Sequence, residues 1–326
     1  MKTTARDGRA MGSPLRLTLP GSRQDETDAG WQIVAGVFRR AERDLTRFDA
    51  SSALSRVNLS VGTTVHVPRR LGRALALAWR AFRITGGRFD PRIIGALEAA
   101  GERAGVALPR SPAVLSAGDR WIWGDPRRGR VRLMAPVDLG GIGKGLALRW
   151  AATALWRAGH GDFLIQAGGD IVVRGAGPGA RPWIVGLENP LDGERPLALL
   201  QLRDAALATS SIAIRHWFGA DGTLRHHLID PATGAPASPI WQSVTVLASD
   251  PVWAEVASKA GFLAGSRIIP ELRARPAWWV SSEGALHASP AGAAQVHESA
   301  PFLLAAGARR PAPRWYAQTS QSRRAP

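Results

Sequence analysis

The chain has 326 residues, 45% of them hydrophobic, enough to bury a substantial core in one large domain or two smaller ones. Its formal net charge of +16 comes almost wholly from arginine, since Lys2, Lys144 and Lys259 are the only lysines. Cysteine is absent, which excludes disulfides, thiolate metal sites, a cysteine nucleophile and a lipoprotein anchor.

No run of about 18 apolar residues is present, so no stable membrane insertion is expected. The opening "MKTTARDGRAMGSP" lacks the apolar core of a secretory signal, which with the missing cysteine points to the cytoplasm. The arginines are scattered, with small clusters in "RRPAPRW" and "SRRAP", and no nucleic-acid-binding motif gathers them. The charge therefore reads as an arginine-rich solvated surface, compatible with a groove for an anionic small molecule.

Along the chain, residues 1–10 read as a flexible N-terminus. "SPLRLTLPG" predicts a strand through the alternation of Leu15, Leu17 and Leu19. "AGWQIVAGVFRRAERDLTRF" carries apolar residues at helical spacing, and "RRLGRALALAWRAFRIT" predicts a second helix stopped by Gly86-Gly87. A third helix fits "GIGKGLALRWAATALWRAG". "DFLIQAGG", "PWIVGLEN", "LALLQLRD", "TLRHHLID" and "WQSVTVLAS" are strand candidates. "PVWAEVASKAGFLAG" has a Pro start and a Gly stop around a helical pattern, and "AWWVSSEGALHAS" reads as a final hairpin. From Gly307 the chain turns Pro-, Arg- and Ser-rich, the composition of a disordered tail. Runs of strands joined by hairpin turns and mixed with helices predict an α+β fold.

Chemistry concentrates in four turns. "DLGGIGKG" (Asp138–Gly145) stands between an apparent strand and a helix, where exposed N–H groups suit phosphate oxygens; its spacing is not that of a Walker A loop. "GGRFDP", "QAGGDI" and "TLRHHLIDPATGAP" (Thr223–Pro236) are the others. "TSS" (Thr209–Ser211) supplies hydroxyls and reads equally well as a surface turn. In "TLRHHLIDPATGAP", His227 is a candidate base or phosphate contact, beside the turn chemistry of Asp230-Pro231 and Thr233-Gly234.

The succession "MGSPLRL", "LTRFDASSALSRVN", "GGRFDP", "VDLGGIGKGLAL", "FLIQAGGDIVVRG", "ATSS", "HHLIDPATGAP" and "SVTVLASDPVWAEVASKAGFLAG" resembles the ApbE-type FAD:protein FMN transferase family from about Met11 to Gly265. The resemblance implies a single ApbE-like, T-fold-like domain over 11–306, with mostly antiparallel sheets, packed helices and FAD in a cleft; residues 307–326 form the tail. It implies cleavage of FAD with a divalent cation, usually Mg²⁺, and attachment of FMN to a Thr or Ser of a target protein. An FAD pyrophosphatase and a non-catalytic FAD-binding protein on the same scaffold are the alternatives. FAD and the target protein are the implied partners; nucleic acid is not.

The resemblance also places residues. Met11, Phe48, Arg88, Phe89, Asp90, Gly140, Lys144, Leu146, Thr209, Ser210 and Ile229 fall at cofactor-binding positions. His227 matches the catalytic histidine and would deprotonate the incoming hydroxyl, with His226 as its less constrained neighbour. The metal would be held by the Gly143 carbonyl and by a helix on which Glu255 and Ser258 are the remaining candidates.

This sequence departs from the family on that helix. Glu255 replaces an Asp, and Lys259 replaces the ligand Thr. An ammonium donates only and repels a cation. Either Lys259 projects its charge into the metal position as a catalytic group, or it forms an ordinary i,i+4 pair with Glu255 worth about 0.2–0.5 kcal/mol. Arg92 and Arg149 also add positive charge where the family often has Thr and Asp.

Overall fold

The alternating leucines of the first predicted strand are all buried, and they define the inner face of the principal sheet. The computed structural model describes residues 3–102, 105–108, 120–192, 195–219, 221–238, 240–265 and 275–299; the predicted tail lies outside them. The N-terminal half runs β1 (Thr3–Ala10), β2 (Ser13–Pro20), α1 (Gln24–Leu45), α2 (Ala53–Leu59), β3 (Val65–His66), α3 (Arg69–Ile84), α4 (Ile94–Ala99), β4 (Ile122–Asp125), β5 (Arg130–Leu133) and α5 (Gly143–Arg157). Strands dominate next: β6 (Phe163–Ala167), β7 (Asp170–Arg174), β8 (Trp183–Leu187), β9 (Ala198–Leu202), β10 (Ala205–Ser211), β11 (His216–Phe218), β12 (Leu224–His226), β13 (Ile229–Asp230), β14 (Ala235–Pro236) and β15 (Trp241–Ala248). The chain then forms α6 (Pro251–Ala264), β16 (Ala277–Ser281), β17 (Leu286–Ala288), a short helix Pro290–Ala293 and β18 (Val296–Ser299).

Eight strands form one sheet in the order β1-β2-β6-β7-β10-β15-β16-β17, every neighbouring pair antiparallel. On one face α1, α5 and α6 pack through Val34, Phe38, Leu148, Leu155 and Ala254 against Leu15, Leu17, Phe163 and Ile165. On the other, the small sheet β18-β9-β8 packs Trp183, Val185, Leu200 and Leu202 against Ile171, Val173, Leu207 and Trp278. Covered on both faces, β7 is buried at four consecutive positions, whereas β8 alternates buried and exposed. A third cluster joins α2, α3 and the ribbon β3-β5-β4 to Leu139, Ile142 and Leu146 below the glycine-rich turn.

Four expectations need correction. Residues 3–10, read as flexible, form β1 in full register with β2. The strand lacks apolar alternation because it is a sheet edge, held by the backbone ladder and by paired charges such as Arg16 to Asp7 at 2.7 Å. The first helix starts at Gln24, earlier than its apolar stripe, because the Glu26 carboxylate accepts the Arg23 N–H at 2.9 Å and caps it. "TLRHHLID" is not one strand: His226 pairs with His216 while Ile229 pairs with Pro236, so the chain changes partners at His227 and Leu228. The last hairpin is followed by the short helix and β18, which pairs with β9.

Candidate active site

The turn Asp138–Gly143 is fastened from below. Leu139, Ile142 and Leu146 sink into the core, and the Asp138 amide donates to the Pro91 carbonyl at 2.6 Å. The Asp138 carboxylate turns back to accept the Gly140 N–H. Gly140 is exposed and Gly141 half-buried, while the Gly141 and Lys144 amides meet no acceptor among the described residues. Free N–H groups at the start of α5 form an anion cradle, because the helix dipole adds to their partial positive charge. Two glycines are required here by close approach. A Cβ on Gly145 would stand 2.7 Å from the Pro251 carbonyl of α6, and one on Gly141 would stand 2.6 Å from Lys259 Cε. Met11, at φ 50° in the β1–β2 turn, lays its methyl against Gly143.

Beside the cradle lies a buried ionic group. Lys144 Nζ contacts the Asp170 carboxylate and stands 3.6 Å from Glu255 Oε1. The second Glu255 oxygen accepts the Gly145 N–H at 2.8 Å. Asp170 and Glu255 together hold the Lys144 ammonium above the usual lysine value against the cost of its burial. Burial pushes Glu255 up to about 7, with Lys144 pulling the other way. Asp170 also accepts the Thr209 N–H, and Thr209 Oγ1 meets Thr245 Oγ1 at 2.9 Å.

The two histidines divide the work differently from expectation. His226 is the constrained one: it is 2% exposed, its Nε2–H donates to the Ala237 carbonyl, and its Nδ1 accepts the Leu228 N–H. His227 is half-buried and makes one bond, from Nδ1 to the Arg215 carbonyl at 3.1 Å. A carbonyl only accepts, so Nδ1 carries the proton and Nε2 keeps its lone pair. Burial, then the charges of Lys259 and Arg215, hold this ring well below the ordinary histidine value, so it is neutral at pH 7. A neutral imidazole with a fixed tautomer and a free Nε2 is equipped to accept a proton.

The segment carrying His227's anchor is tied to the glycine-rich turn by a charge ladder. The Arg215 guanidinium pairs with Glu102, which lies 3.1 Å from Arg47. Arg47, 2% exposed, reaches Asp138 at 2.7 Å and Glu98 at 3.5 Å. None of this ladder was found from the sequence. Arg47 and Asp138 lie inside the quoted motifs, but Glu102 and Arg215 carry no local signal and meet only through the fold.

The residues placed by resemblance divide into three groups. Gly140, Lys144, His227, Lys259, Met11 and Thr209 gather around the cradle. Phe89 and Leu146 are core side chains beneath the turn, and Ile229 is buried in a separate cluster with Ala96, Leu97 and Ala100. Asp90 is closed into a two-point pair with Arg92, whose Nη2 lies 2.7 Å away, and Arg88 donates to the Thr85 carbonyl at 3.3 Å. Phe48 stands exposed with the Arg47 guanidinium 4.3 Å from its ring centre. Thr209 and Ser210 belong to strand β10, paired with Thr245 and Val244, and do not form a turn. Arg92 and Arg149 are paired with Asp90 and Asp250, so neither brings an uncompensated charge to the cleft.

The metal assignment does not fit. Ser258 is fully buried; its hydroxyl donates to the Glu255 carbonyl and meets Ser210 Oγ at 3.0 Å. Glu255 is committed to Gly145 and Lys144, and the space between it and Asp170 holds an ammonium. No group of three His, Cys, Asp or Glu side chains suited to a metal occurs among the described residues. Magnesium demands near-octahedral oxygen ligation, which this donor set does not offer.

Residues 11–277 match the ApbE family. The chain belongs to that family. Two FAD:protein FMN transferases, from Klebsiella pneumoniae and Haemophilus influenzae, are similar to it. The first is 27% identical over 75% of this chain and 74% of its own length, and the second 24% identical over 81% of each. The ApbE protein of Thermotoga maritima has the same fold, with a TM-score of 0.80 at 25% identity, covering 91% of this chain and all of that one. The flavin transferase ApbE of Vibrio cholerae superposes with a TM-score of 0.75 at 21% identity, covering 90% of this chain and 99% of its own. ApbE membership accounts for the order in which the eight motifs occur, and the fold for why they converge.

Proposed function

We propose that this protein is an FAD:protein FMN transferase, with FAD as donor and a Ser or Thr hydroxyl of a target protein as acceptor. Family membership and the names of its relatives support the donor and the acceptor class. The observation that carries the chemistry is His227, a neutral ring with Nδ1–H fixed on the Arg215 carbonyl and Nε2 open.

Nε2 of His227 takes the proton of the acceptor hydroxyl as its oxygen attacks the flavin-side phosphorus. The new O–P bond forms, the P–O bond to the bridging oxygen breaks, and AMP leaves with the electron pair. The free amides of Gly141 and Lys144, at the start of α5, hold the phosphate oxygens as charge shifts across the bridge. Lys144, tied to Asp170 and Glu255, orients the turn in this reading.

The test is to incubate the protein with FAD and a lysate of the source cells. A fluorescent flavin band on a denaturing gel and an equal release of AMP are expected, both lost in His227→Ala. Labelling at the wild-type rate by His227→Ala removes the histidine from the mechanism. AMP and free FMN without any labelled protein would favour the hydrolytic alternative, in which water replaces the hydroxyl.

A further inference from the structure

Among the described residues this arginine-rich chain has two lysines, and both stand at the cradle with different surroundings. Lys144 is paired with Asp170 and Glu255. Lys259, one helical turn after Glu255 on α6, makes no ion pair with it or with any other carboxylate among the described residues; the i,i+4 reading is not what forms. Its stem instead lies across Gly141, with Cε 2.6 Å from where a Cβ would be, and beside Phe89. The half-buried ammonium is near enough to His227 for its charge to disfavour protonation of that ring, and near enough to Arg215 for the two cations to act on one another. Burial pulls it below the ordinary lysine value; the Glu255 carboxylate opposes that pull, Lys144 and Arg215 add to it, and Asp138 opposes it more weakly. A cation with no carboxylate in ion-pair contact among the described residues, over a turn whose Gly141 and Lys144 amides are free, gains a direct partner when an anion enters.

We propose that Lys259 does the work of a divalent cation in this protein: its ammonium neutralises the diphosphate bridge of the flavin dinucleotide, and the site operates without metal. The proposal rests on the FAD reading above. The geometry supports it twice over, since the donor set around Glu255 does not suit magnesium and the position beside the glycine-rich turn already holds a positive charge. Lys259 also suits the departing AMP, whose phosphate gains charge as the P–O bond breaks.

Two measurements decide it. Titration calorimetry of the intact protein with FAD in EDTA, repeated with Mg²⁺, should give equal affinities. Lys259→Met, which keeps the stem against Gly141 and Phe89, should bind FAD at least tenfold more weakly in EDTA. Electron paramagnetic resonance with Mn²⁺ should show the FAD complex taking up no more of the ion than FAD alone, while Lys259→Thr takes up more. FAD binding that needs Mg²⁺, or one Mn²⁺ bound per wild-type complex, overturns the proposal and leaves the transferase reading standing. Wild-type affinity in Lys259→Met overturns the assignment to this residue. Absence of FAD binding in either buffer overturns the transferase reading and the proposal with it. The wild-type Mn²⁺ measurement needs no variant, so a misfolded substitution does not shield the idea.

Discussion

Replacing Arg47 by Met should be among the most damaging single changes outside the apolar core. Its side chain is 2% exposed and serves three carboxylates at 2.7, 3.1 and 3.5 Å. The three do not weigh equally. Glu98 is 37% exposed, so its share is that of a surface pair, under about 1 kcal/mol. Glu102 keeps Arg215 as a partner. Asp138, 13% exposed, has no other ion-pair partner among the described residues and retains only the Gly140 amide. Removing one partner of such a buried pair costs about 3–5 kcal/mol, because the charge left behind stays desolvated. Urea unfolding followed by tryptophan fluorescence should therefore show a lower midpoint at unchanged slope. Asp138→Asn in the Arg47→Met background should recover part of the loss, since it removes the stranded charge. A destabilisation below about 1 kcal/mol, or no recovery in the double variant, would refute the ladder as a structural tie.

Further expectations concern the helices and the histidines. Gly72→Ala lies inside α3, where helix propensity favours Ala by about 1 kcal/mol. The added Cβ would stand 2.0 Å from the Pro126 carbonyl, so the variant should melt lower; a higher melting temperature contradicts the packing. His226→Ala should lose about 1–3 kcal/mol by stranding the Ala237 carbonyl and the Leu228 amide, whereas His227→Ala should change stability little and abolish transfer. The depressed His227 value gives stability a pH dependence. The folded ring refuses a proton that the unfolded chain accepts below about pH 6.5, so its contribution is complete above that pH and falls as pH drops through the window below it. His227→Gln should flatten the fall of urea midpoint between about pH 6.5 and 5; an unchanged slope would show that the ring is not held neutral.

Much of the fold was legible because its periodicities are strong. Leu15, Leu17 and Leu19 mark β2, and the helical spacing in residues 69–85 and 251–265 gave α3 and α6 nearly to the residue. β1 was not legible, since "TTARDGRA" is a polar edge whose hydrogen bonds leave no apolar pattern. The break at His227 was hidden for a related reason: two short ribbons meeting end to end look like one alternating strand. The site's chemistry was visible where one turn carries it, as in the glycine-rich segment. Side chains such as Phe89 and Leu146 share those motifs because they support the turn from the core, and a motif does not separate support from contact. The ladder from Arg215 to Asp138 joins positions far apart in sequence, which only tertiary packing brings together.

The central claim is that the cleft between the Gly140–Lys144 turn and His227 receives the diphosphate of FAD. A crystal structure of the complex tests it directly. The account predicts the phosphate oxygens on the Gly141 and Lys144 amides and on Lys259 Nζ, with His227 Nε2 facing the flavin-side phosphorus. A dinucleotide seated elsewhere, or one that turns its phosphates to solvent and leaves Lys259 without a partner, would contradict it.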